Sequence, residues 1–72
     1  MTIKQRAFRE AQSFKAGRGR AWPWVSDHDA IVDAVCMDQV RAAVFTGGAI
    51  TGAEIIEFRT AFVAAIAKMG FV

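Results

Sequence analysis

The sequence predicts an all-α fold: a small three-helix domain in which helices 2 and 3 form an antiparallel hairpin, preceded by a basic N-terminal helix and a Trp-Pro-Trp connecting segment. Three observations point there. Apolar residues recur at helical spacing, the segment ends carry recognisable caps, and no alternating apolar–polar run is long enough to argue for a sheet. At 72 residues the chain is read as one domain, 1–72, with the basic helix and arm over 1–24 and the helical hairpin over 25–72. A domain this small buries a low fraction of its surface, so a partner or a second copy is expected to contribute to its stability.

Thr2 and Gln5 make a capping box for the first helix, and Gly17 stands where a left-handed C′ residue would end it, giving Ile3 to Ala16. Its apolar face is thin. Ile3, Ala7, Ala11 and Phe14 line one side while Phe8 sits apart between Lys4 and Lys15, so loose docking is expected. The stretch GRGRAWPWVSD follows, Gly17 to Asp27. Pro23 fixes its own φ and disfavours helical geometry at Trp22, which predicts an extended segment whose two indoles project in different directions. One ring can enter the core while the other remains accessible.

Ser26 or Asp27 caps the second helix, which runs roughly from Asp27 to Phe45 and stops at Gly47 or Gly48. It is apolar on two sides. Ile31, Val32, Val35, Cys36 and Ala43 form one stripe and Ala30, Met37, Val40 and Val44 a second, whereas a surface helix needs only one. The surplus stripe is expected either to lie under the Trp segment or to be an exposed patch that implies association. Thr51 and Glu54 form the capping box of the third helix, with Ile50 and Ile55 at the staple positions. Gly70 at C′, with Ile66 and Phe71 at C3 and C″, predicts a Schellman ending. The core arc of this helix is expected to hold Ile55, Ile56, Phe58, Phe62, Val63, Ala65, Ile66 and Met69, leaving Glu57, Ala61, Ala64 and Lys68 outward. Arg59 falls inside that arc and must extend its head to solvent, meet an acid such as Asp33 or Asp38, or face a partner.

Charge is uneven along the chain. Up to Trp24, Lys4, Arg6, Arg9, Lys15, Arg18 and Arg20 stand against Glu10 alone, a balance of +5; from Val25 onward the balance is −3. A basic arm on an acidic body can serve nucleic acid, an acidic protein, an anionic surface or the protein's own other half. With no stretch of about 18 consecutive apolar residues and no leader-like start, the chain reads as cytoplasmic.

The residues that could carry chemistry are few. TGGAITGAE, Thr46 to Glu54, has glycine spacing of a phosphate loop but places Ala53 and Glu54 where Lys and Ser or Thr are needed, and it is explained by a helix stop, a connection and a capped start. Asp27, His28 and Asp29 are adjacent and diverge, so they cannot assemble a nucleophile, base and orienter. Cys36 lies on the main apolar stripe as a small hydrophobe, and one Cys with one His cannot complete a zinc site. No catalytic residue, metal site or cofactor is expected. A helix-turn-helix reader is disfavoured because its recognition helix would offer only Arg59 and Lys68.

The functional expectation is therefore a non-enzymatic protein-binding module that self-associates, a dimer being favoured, and acts by occupying a partner's surface through Met37, Val40, Val44, Trp22, Trp24 and Phe8. Its size suits an inhibitor, an accessory factor or a virion-associated protein of a phage or mobile element. The alternative is a small nucleic-acid-binding regulatory factor using Arg6, Arg9, Lys15, Arg18 and Arg20, with a Trp stacking on bases. The same cations could instead meet an acidic partner. Membrane-surface contact has less support, because the apolar face of the first helix is thin.

Overall fold

The computed structural model describes residues 2–71, which form α1 (Ile3–Ala16), a 3-10 helix (Arg18–Trp24), α2 (His28–Phe45) and α3 (Gly52–Lys68), with no strand among them. The helix starts follow from their caps. The Thr2 hydroxyl accepts from the Gln5 backbone N–H at 3.1 Å while the Gln5 side chain accepts from the Thr2 N–H at 2.9 Å, and Thr51 and Glu54 repeat the arrangement at 3.1 and 3.0 Å. A cap of this kind stabilises a helix by about 1 kcal/mol. Of the two residues available to start α2, Asp27 is the one used, accepting from the Ala30 N–H.

Two helices end in Schellman motifs. Gly47 and Gly70 take positive φ, 79° and 99°, and the residue after each donates back to the C3 carbonyl, Gly48 to Ala43 and Phe71 to Ile66. Gly17 does not behave this way. Its φ is −116°, so the expected left-handed stop is absent, and its carbonyl instead accepts from the Arg20 N–H to start the 3-10 helix.

That 3-10 helix also replaces the extended segment expected around Pro23. The local preference imposed by proline is overridden because the helical path carries the Trp22 indole into the core, where it meets Phe14 and Phe71 edge-on at 5.7 and 5.9 Å. Burying an aromatic ring removes some 150–250 Å² from water, which outweighs a modest backbone preference.

The core consists of Ala7, Ala11, Phe14, Trp22, Val32, Val35, Cys36, Phe58, Phe62 and Ile66. Phe58 and Phe62 are fully enclosed and stack at 5.9 Å, and Phe14 meets Phe62 edge-on at 5.4 Å. The most extensive helix packing is α1 on α3, which overturns the loose docking expected of α1. A thin face of alanines is what allows it: Ala7 and Ala11 are wholly buried, so the backbones can approach closely with Phe14 filling one end. The same packing shifts the buried arc of α3. Ala61, expected outward, packs against the core, whereas Ile56 and Val63, expected inside, are exposed.

Candidate interaction surface

α2 turns Val32, Val35, Cys36 and Gln39 inward. At 100° per residue the opposite side carries Ala30, Ala34, Met37, Arg41 and Val44, with Asp33 and the half-buried Val40 along one margin and Phe45 on the other. Met37 is 51% exposed, Val44 66% and Phe45 92%. The surplus stripe is thus not covered by the Trp segment, because Trp22 faces Phe14 and Phe71 instead. Phe45 was not among the residues expected to form the surface. It sits in the last turn of α2 just before the Thr46–Gly47 stop, and that position at the end of an otherwise apolar helix was the available sign.

Ion pairs frame this surface. Arg59 pairs with Asp33 and lies 3.8 Å from Asp29, so its head is neutralised by α2 at the edge of the core. The Asp33 carboxylate keeps the Arg59 guanidinium protonated more firmly than usual, although burial opposes this. Asp38, the other acid considered for Arg59, is engaged by Arg18 at 2.8 Å and by Arg41 at 3.6 Å. Cys36 lies beneath; burial pushes its thiol pKa up, against the pull of the Arg59 charge.

The remaining predicted residues are dispersed. Trp22 is only 8% exposed and belongs to the core, while Trp24 is 86% exposed at the end of the 3-10 helix. Phe8 lies in a groove between α1 and α3 with Lys4, Ala61, Ala64, Ala65 and Met69, which no residue of α2 lines. Arg6 and Arg9 face a second groove, between α1 and the C-terminal half of α2, beside Gln39 and Thr46. Arg18 is tied to Asp38, whereas Lys4, Arg6, Arg9, Lys15 and Arg20 have no carboxylate within ion-pair distance among the described residues. Arg18 is thus held in an ion pair while the other five are exposed.

His28 has a structural position. Its ring stacks on Trp22 with centroids 3.9 Å apart, and its Nε2–H donates to the Trp22 carbonyl at 2.9 Å. Both contacts hold the end of the 3-10 helix against the start of α2. Among the described residues no cluster of three or more His, Cys, Asp or Glu side chains could hold a metal ion, and no helix is long and apolar enough to cross a membrane. Compared with known protein families, curated proteins and solved structures, the chain matches none.

Proposed function

We propose that this protein is a non-enzymatic binding module that works by covering a protein surface, its own second copy included, through the outward face of α2. The observation that carries this reading is the exposure of Met37, Val44 and Phe45 on a helix whose opposite side already supplies its share of the core. An apolar stripe on a chain this short is costly to leave in water, and association removes it. Trp24 is a further exposed aromatic of the kind that anchors interfaces. The six-residue connection 46–51, bounded by a Schellman stop and a capping box, supports α2 and α3 as an antiparallel pair that presents this face rigidly.

The test is sedimentation over a wide concentration range, with Val44→Asp as the variant. Mass should rise with concentration in the wild type and stay at the monomer in the variant, with helicity unchanged. A wild type that remains monomeric at the highest concentration, and whose α2 amide signals do not move when potential partners are added, removes the reading.

A second reading is favoured by one observation: five cations of the N-terminal region have no carboxylate partner among the described residues, with Trp24 exposed four residues beyond Arg20. That combination suits a weakly specific contact to single-stranded nucleic acid. It requires affinity that falls steeply with salt and drops when Arg20 and Trp24 are replaced by alanine. Salt-independent binding, or none, eliminates it.

A further inference from the structure

Resting on the association reading above, we infer that the partner seated on α2 is α2 of a second copy, packed antiparallel about a two-fold axis passing beside Met37. The outward face is complementary to itself only when reversed. Ala30, Met37 and Val44 repeat at seven-residue intervals, the spacing of a helix–helix seam. Around Met37 the flanking positions differ in kind. Seven residues before it stands Ala30 and seven after it Val44. Reversal sets each small side chain against a larger one, so knobs meet vacant space along about 21 Å of helix. In-register parallel packing would instead set alanine against alanine and valine against valine.

Charge follows the same symmetry. Asp33 lies four residues before Met37 and Arg41 four after it, so the antiparallel register brings each Arg41 to the other copy's Asp33, twice per dimer. Parallel packing would place like charges together. Both groups can make the contact. Arg41 is largely exposed and only 3.6 Å from Asp38, which Arg18 already holds at 2.8 Å, and a carboxylate such as Asp33 has acceptor sites beyond the one Arg59 uses. Each interface is isologous, as a closed dimer requires.

Disulfide trapping reads the register directly. The native Cys36 is buried and can be retained, with the wild type as the control for any bond it forms. Met37→Cys should give a covalent dimer on mild oxidation, because only a residue at the axis meets its own copy. A mixture of Ala30→Cys and Val44→Cys proteins should cross-link to each other at least about tenfold faster than either does alone. Sedimentation of the same samples under reducing conditions separates the possible failures. A protein that is monomeric overturns both this inference and the association reading. A dimer in which Val44→Cys alone cross-links as fast as Met37→Cys has parallel helices, and a dimer trapped by none of the three uses another surface; either result overturns the antiparallel register while leaving association intact.

Discussion

Replacing Gly19 by alanine tests the path of the 3-10 helix and its fit to the aromatic core. A β-carbon there would lie 2.8 Å from the Phe14 carbonyl oxygen and 2.9 Å from Cζ of Phe71, where ordinary contacts are 3.4–4 Å. Neither neighbour can yield freely. The Phe14 carbonyl is helix backbone, and Phe71 is held edge-on between Phe14 and Trp22. Overpacking of this kind costs about 1–3 kcal/mol. The restricted unfolded chain offsets about 0.4–1 kcal/mol of that. A net loss of about 1–2 kcal/mol lowers Tm by roughly 5–15 °C in a domain of this length.

Thermal melting followed by circular dichroism at one fixed protein concentration measures the effect, since self-association makes Tm concentration-dependent. Gly52→Ala is the matched control. It changes the first residue of α3, where a β-carbon meets nothing within 4 Å, and should raise stability by about 0.4–1 kcal/mol. If Gly19→Ala melts at or above the wild-type temperature, the close approach of Gly19 to Phe14 and Phe71 is wrong, and with it the placement of Trp22.

Three further outcomes follow from single sites. The Glu54 carboxyl is held below its ordinary value of 4.5 chiefly by the bond from the Thr51 N–H, so its support of α3 is complete above about pH 4.5 and is lost as pH falls through the folded value. Glu54→Gln keeps the cap bond without the charge and should flatten Tm against pH in that acid window; identical wild-type and variant profiles would count against a charged cap. Cys36, buried and with its thiol pKa raised, should react with a thiol reagent at least about a hundredfold more slowly in the folded protein than in denaturant. Equal rates would mean that α2 is not seated on the core. Acrylamide should quench most of the accessible Trp emission, and Trp24→Phe should remove that component while Trp22→Phe leaves it; the reverse pattern would contradict the burial of the two rings.

The parts of the fold that depend on local chemistry were legible in the sequence. Thr2–Gln5, Thr51–Glu54 and the glycines at 47 and 70 act within a few residues of themselves, and each does what its chemistry predicts. The expectations that failed depended on distant residues. Gly17 does end the first helix after Ala16, but in place of a left-handed turn the chain enters a tighter helix, whose Gly19 and Trp22 pack against Phe71, far along the chain. Likewise Ala61 faces the core because Ala7 and Ala11 leave room for close approach, and Ile56 and Val63 are displaced to the surface in consequence. Periodicity identifies an apolar arc but not which part of it a neighbouring helix will cover. The surplus stripe of α2 was visible from the same periodicity; that the Trp segment leaves it bare was not, since this depends on where Trp22 packs.

The wedge made by Phe71 has a consequence for synthesis. It fills a slot bounded by Phe14, Gly19 and Trp22, so the aromatic cluster is assembled from residues that lie far apart along the chain. At 5–20 residues per second the interval between translating Gly19 and Phe71 is roughly 3–10 s. Until Phe71 is made, Phe14 and Trp22 lack the ring that packs against both, and α1 with the 3-10 helix is open to whatever chaperone or neighbouring nascent chain meets it first.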